Sequence, residues 1–319
     1  MAPLLVVQAR TFGDQKGRVW KVGVLASREK PGSLATDYLG EISRGLAELG
    51  YVEGKTLVIE WRFAGSRYER LDELAADLVR TRVDVIVTDG TPSTLAALRA
   101  TKTVPIVFGG AGDPLGSGIA KSLTKPGGNA TGLSLLGEDT SRKQLEILSS
   151  LVPKLAPVAI LCNPGNPLAA PILGSLQEAG RAMKLDILPV EARTQEAIVG
   201  AFSWMSKEKA GAVVVVMDPF YIQQGRQIAE LATMNRLPSM ASAREFAEAG
   251  GLISYGQSRA YNYRRAAVFV DRILKGARPA DLPVEQSMKF EMVVNKRTAR
   301  VLGLEVPAEL ILLADKVIE

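Results

Sequence analysis

Histidine is absent from all 319 residues, and cysteine occurs once. The first absence removes the commonest general base and metal ligand. The second excludes an internal disulfide and leaves one thiol, Cys162, at the end of the apolar run "VAILC". With no histidine to activate it, that thiol reads as a small buried hydrophobe and not a nucleophile. No apolar run reaches about 18 residues, so no segment reads as a membrane span. Aromatics make up only 6% of the chain and its 39 Lys and Arg are scattered, so the basic-aromatic stripe of a nucleic-acid binder is missing despite a net charge of +5. No nucleic-acid partner is expected.

What is present is an ordinary α/β composition, long enough for two domains. From Trp20 onward, β-branched runs alternate with amphipathic stretches. "KVGVLAS", "TLVIEWR", "VDVIVTD" and "VPIVFGG" read as strands, with helices near Asp37 to Leu49, Tyr68 to Arg80 and after Thr91. A helix-like stretch follows Pro114 as far as Leu123, and "KPGGNATGLS" is a glycine-rich turn into a new strand. The alternation then restarts with "PVAILCN", "LDILPVEA", "AGAVVVVMDP" and "GGLISYG". Their helices run near Ser141 to Leu151, Leu168 to Met183, Phe220 to Asn235 and Arg259 to Lys275. Two such series predict an α/β protein of two doubly wound, parallel-sheet lobes.

In open α/β sheets ligands bind at the carboxyl ends of the strands. The polar residues there are Ser27, Asp89 to Thr94, Gly112, Asp113, Asn163, Asn166, Asp218 and Tyr255. In "TDGTPSTLAALRA", Thr91 has the character of an N-cap and Pro92 of a first helical residue. Ser93 and Thr94 then offer hydroxyls beside unpaired N–H groups, where the helix dipole favours a carboxylate. An ordinary capped helix explains the same residues. "GGAGDPLGSG" lacks the Gly-Lys-Ser/Thr of a phosphate loop; it lines a cleft, or Asp113 simply caps a turn. "NPGNP" has turn chemistry, with Asn163 and Asn166 able to donate and accept. Asp218 before Pro219 is an N-cap or the acceptor of a ligand's ammonium group, with Phe220 beside it as aromatic surface.

Five segments are more specific: "LAELGYVEGKTLVIEWRFAGSRYERLDELAADLV", "VDVIVTDGTPSTLAAL", "VPIVFGGAGDPLGSGIAKSLTKPGGNATGLS", "REFAEAGGLISYGQS" and "ILKGARPADLPVEQSMKFEMVVNKRTARVLGLEVP". Together and in order, they resemble the ABC-transporter substrate-binding protein family related to tryptophan- and tyrosine-uptake binding proteins. The resemblance implies a type I periplasmic-binding fold, two lobes joined by a three-crossover hinge and closing on a small ligand, with no cofactor, metal or catalysis. It divides the chain into one lobe of residues 19–130 and 256–285 and another of residues 131–255 and 286–319. The loop after the first strand departs from the family, carrying Arg28, Glu29 and Lys30 where uncharged residues prevail.

Residues 1–18 are expected to be a leader. Ala2 to Val7 followed by "VQA" has the character of a secretory signal tail, cut near Ala9, although the basic n-region is missing and no lipobox cysteine occurs. The reading is therefore a periplasmic, monomeric receptor that serves a membrane permease. Its ligand is a carboxylate-bearing amino acid or aromatic acid, with the acid at Ser93 and Thr94 and the amino group at Asp218. The alternatives are a sugar-type solute binder, a ligand-sensing regulator of the same fold, and an enzyme using Asp113 and Asp218 as an acid/base pair.

Overall fold

The computed structural model describes residues 18–319 except Lys154 and Ala156; the expected leader lies almost wholly outside the described residues. The chain runs β1 (Trp20–Ala26), α1 (Glu41–Glu48), β2 (Leu57–Phe63), α2 (Leu71–Arg80), β3 (Val85–Asp89), α3 (Gly90–Ala100), β4 (Ile106–Gly112) and β5 (Ala130–Leu135). It continues with α4 (Gly137–Leu151), β6 (Val158–Cys162), α5 (Ala169–Met183), β7 (Ile187–Glu191), α6 (Gln195–Lys207), β8 (Ala212–Val215), α7 (Pro219–Gln223) and α8 (Gly225–Met234). Last come β9 (Ser239–Ala241), α9 (Arg244–Glu248), β10 (Ile253–Gln257), α10 (Arg259–Leu274), β11 (Glu285–Gln286), β12 (Phe290–Asn295), α11 (Lys296–Leu302), α12 (Ala308–Leu313) and β13 (Lys316–Ile318).

Two sheets form. The first has the order β11-β5-β4-β3-β1-β2 and is parallel throughout. The second has the order β13-β12-β10-β9-β8-β6-β7, with one antiparallel pair, β10 and β12. Each sheet is buried on both faces, as helix-flanked parallel strands require. Side chains alternate: Val22, Val24, Val85 and Val87 pack toward α1 and α10, while Leu25, Ile86, Ile106 and Phe108 pack toward α2 and α3. The second lobe repeats this, with Val158, Ile160 and Val214 on one face and Ala159, Leu161 and Val213 on the other.

The first crossover follows Leu135, so the residues from Thr131 onward, which the sequence reading put in the second lobe, complete the first sheet. Thr131 pairs with Val107, and its hydroxyl donates to Leu282 O at 2.8 Å. Gly132 makes the fit: at φ 147°, an added Cβ would lie 2.2 Å from Phe108 O. The chain returns between β10 and α10, which packs on α1 and β4, and crosses again between β11 and β12.

Three helix expectations change. Pro114 to Leu123 is a run of turns, since Gly116 and Gly118 (φ 73°) break any helix. The helix expected from Phe220 to Asn235 is divided at Gln224 into α7 and α8. α3 begins at Gly90, ahead of the expected Thr91 cap.

Candidate functional site

The carboxyl edges of the two sheets meet, and the lobes touch. Tyr68, in a 3-10 turn after β2, puts its hydroxyl within hydrogen-bond distance of both Asp218 carboxylate oxygens, at 3.0 and 2.9 Å. Gln223 of α7 reaches back the other way. Its Oε1 accepts from Glu29 N at 2.8 Å and Ser66 Oγ at 3.0 Å, and its Nε2 donates to Glu29 Oε2 at 2.7 Å. Gly112, at the end of β4, leaves room for Leu168 of the second lobe; an added Cβ would sit 2.4 Å from Leu168 Cδ1. These are the contacts of a closed cleft.

Two buried carboxylates organise it. Asp218, 1% exposed, accepts from Asn163 Nδ2 at 3.3 Å, Asn166 Nδ2 at 2.8 Å and the Phe220 N–H at 2.9 Å, besides Tyr68. It is thus both the N-cap of α7 and the hub of "NPGNP". Its donors are all neutral. Burial pushes its carboxyl above the ordinary range, while Asn166, Tyr68 and Asn163 pull the other way. Burial and the Asp218 charge together raise the Tyr68 phenol well above its usual value.

Asp89, at the end of β3, is 2% exposed. It accepts from Tyr263 Oη at 3.0 Å and from Tyr38 Oη at 3.4 Å. Burial raises its carboxyl, and Arg259 and Arg28 lower it. Arg28 is buried, donates to Asp37 Oδ2 at 2.8 Å and lies over the Tyr38 ring, 5.0 Å from its centroid. The unusual loop after the first strand therefore places one guanidinium inside the cleft, while Glu29 and Lys30 stay exposed.

The expected site residues fall into three groups. Asn163, Asn166 and Asp218 form one hydrogen-bonded cluster. Ser27, Thr91, Ser93, Thr94 and Gly112 line the first-lobe edge, but their polar side chains are turned into the protein. Ser27 Oγ donates to Asp89 O at 3.4 Å, and Thr91 Oγ1 accepts from Gly112 N at 3.1 Å. Ser93 Oγ donates to Asp89 O at 2.6 Å and Thr94 Oγ1 to Gly90 O at 2.7 Å. The hydroxyls thus satisfy carbonyls inside the helix, and only backbone N–H groups are left at the start of α3, which has no side-chain cap. The third group lies apart from the cleft floor. Phe220 packs in a second-lobe core, Tyr255 stacks on Phe290 with centroids 5.4 Å apart, and Asp113 is exposed and accepts from Gly116 N at 2.8 Å. Asp113 and Asp218 have separate partners and form no acid/base dyad.

Sequence reasoning missed Tyr68, Gln223, Tyr38, Tyr263, Arg259 and Gln257. Most lie in or just before the helices that follow strands, one step past the strand ends that were read. Among the described residues, no group of acids and cysteine is placed to hold a metal, and no helix is long and apolar enough to cross a membrane.

Known proteins share this fold. The chain is similar to a tyrosine-binding protein of Clostridioides difficile, 26% identical over 263 residues, covering 82% of this chain and 75% of that one. It superposes on an ABC domain from Streptococcus pneumoniae in complex with L-Trp with a TM-score of 0.85 at 25% identity, covering 94% of this chain and all of that one. A ligand-free, open substrate-binding protein from Clostridium difficile, 24% identical, gives a TM-score of 0.65 over 94% of this chain and 99% of that one. The family model for ABC transporter substrate binding protein matches residues 21–318, almost the whole described chain. The chain belongs to the ABC transporter substrate-binding protein family, a family of binding proteins and not of enzymes.

Proposed function

We propose that this chain is the extracytoplasmic receptor of an ABC importer. It closes its lobes on one small carboxylate-bearing molecule, an amino acid or an aromatic acid, and hands it to the importer's membrane permease, acting as an exported monomer. The observation that carries the reading is the bond from Tyr68 to Asp218. Among the described residues this buried carboxylate has neutral donors and no cation of its own, and one of its donors comes from the opposite lobe. A ligand ammonium group that shares or takes the place of the Tyr68 hydroxyl is felt by both lobes at once. Closure then depends on occupancy, because only the closed form gains both sets of contacts. The ligand's acid faces the first lobe, whose edge supplies the uncapped start of α3 and the cations of the cleft. The relatives named for tyrosine and bound to L-Trp support the amino-acid class.

The test is a thermal-shift screen of amino acids, aromatic acids and sugars, followed by calorimetry. A ligand at about a hundred times its Kd stabilises by about 2.7 kcal/mol. Asp218→Ala should weaken binding by about 2 kcal/mol or more, because the partner donors stay buried and unpaired. Ser93→Ala should cost under about 1 kcal/mol, since its hydroxyl already serves the helix. Stabilisation by sugars and by no acid would reject the reading.

A further inference from the structure

The enclosed remainder of the closed cleft is small, about 20 Å3, room for a single water. Its walls come from Gly109 and Gly110 of the first lobe, Met217 and Ser242 of the second, and Gln257 and Arg259 at the return crossover. Among the described residues Arg259 is the one charged residue lining it. Its guanidinium lies over the Tyr38 ring, 5.2 Å from the centroid, and Glu245 and Asp89 both act on its charge. Among the described residues neither acid closes an ion pair with it.

Gln257 is 8% exposed. Its Oε1 accepts from Thr140 Oγ1 at 3.3 Å, but its Nε2 is buried with no hydrogen-bond partner among the described residues. A buried donor without an acceptor is costly, and native structures rarely keep one without a use for it. Both residues flank the start of α10, a helix of 16 residues. Ser258 Oγ accepts from the Tyr261 N–H, so the N–H groups of Arg259 and Ala260 have no side-chain cap. The helix dipole adds positive potential at the same point. A guanidinium, an unpaired amide N–H and a helix start thus converge on one cavity that, among the described residues, holds no anion-bearing side chain.

Leu135 lines this cavity and also a larger one of about 310 Å3 between the lobes. The larger space has apolar residues, Leu136, Leu168 and Ile172 among them, with Asp113, Glu138 and Asp139 as acids. It is the size of small-molecule pockets.

We propose that Arg259 and Gln257 Nε2, at the start of α10, seat the acidic group of the ligand, and that the space beyond Leu135 receives its apolar body. The inference rests on the receptor reading above and sharpens it. The first-lobe anion anchor is the start of α10, and the start of α3 is secondary.

Calorimetry on the full chain with L-tyrosine, L-tryptophan and benzoate, and with the amide of each, tests it. Arg259→Gln, Arg259→Lys and Gln257→Leu are compared with wild type after melting curves have established that each folds. Wild type should prefer at least one acid over its amide. Arg259→Gln should weaken that acid by about 30-fold or more and its amide by less than about threefold, as expected for loss of a charge-assisted bond in a desolvated site. Gln257→Leu should weaken the acid by about tenfold. Arg259→Lys should fall between, keeping the charge but losing the planar fork. If wild type prefers the acid and Arg259→Gln binds it equally well, the seat is wrong and the receptor reading stands. If wild type binds amides as tightly as acids, or binds none of the six, the carboxylate class itself fails and the seat fails with it.

Discussion

The Tyr68 phenol oxygen lies 3.0 and 2.9 Å from the two carboxylate oxygens of Asp218, and the two residues belong to different lobes. With Gln223 bonded to Glu29 and Ser66, this contact joins the two lobes across the cleft. Tyr68→Phe removes the hydroxyl and leaves Asp218 its Asn163, Asn166 and Phe220 donors. The closed form should lose about 1–2 kcal/mol, enough to shift an open-closed balance by about tenfold. Small-angle scattering at one subsaturating ligand concentration should show a larger radius of gyration for the variant than for wild type. Equal radii would mean that the bond does not hold the lobes together.

Gly112→Ala tests closure from the other side. The new methyl group would sit 2.4 Å from Leu168 Cδ1, a contact that exists only when the lobes meet. Overpacking costs about 1–3 kcal/mol, borne here by the closed form. Ligand affinity should fall by about tenfold or more, with an unchanged far-ultraviolet dichroism spectrum. Undiminished affinity would show that Leu168 yields at no cost.

Asp89 carries a pH signature. Burial raises its carboxyl above the ordinary carboxylate range, Arg259 and Arg28 opposing. Between the unfolded and folded values the native state binds more proton than the unfolded chain. The Asp89 contribution to stability therefore falls as pH rises through that window and is fully present below it. Asp89→Asn has no such window. The melting temperature of Asp89→Asn minus that of wild type should be greater at pH 7 than near pH 4. A flat difference would place the Asp89 carboxyl at its ordinary value.

Cys162 should be inert in the native protein. It is 3% exposed in a second-lobe core, and burial, with Glu191 nearby, pushes its thiol up to about 11. At pH 8 almost no thiolate is present and no reagent reaches it. Iodoacetamide should leave the folded chain unmodified and add one label per chain in denaturant. Labelling of the folded form at the unfolded rate would put Cys162 at the surface.

How far the sequence could be read follows from the range of its signals. The β-branched runs "VDVIV", "VAILC" and "AVVVV" are local, and a run buried on both faces is legible without knowing its neighbours. Cys162 was legible for the same reason. The first crossover was not. "KPGGNATGLS" marks a turn, but only the ladder from Ile106 to Gly112 shows that Ala130–Leu135 still belongs to the first sheet. Ser93 and Thr94 stand at the helix start as their spacing implies. Their hydroxyls point inward because Asp89 O and Gly90 O lie within reach once the helix closes.

The order of strands and helices, the two-lobe plan and the absence of histidine chemistry are thus properties of the sequence itself, since period, propensity and composition act over a few residues. Which polar groups face the cleft was decided only in three dimensions. Tyr68 and Asp218 are 150 positions apart, and Glu29 and Gln223 are 194 apart. No local pattern links such pairs; they meet because two separately formed sheets present their carboxyl edges to one another across a hinge. The same holds for Gln257 and Arg259, which face the lobes' shared cavity only because β10 and α10 lie at the return crossover.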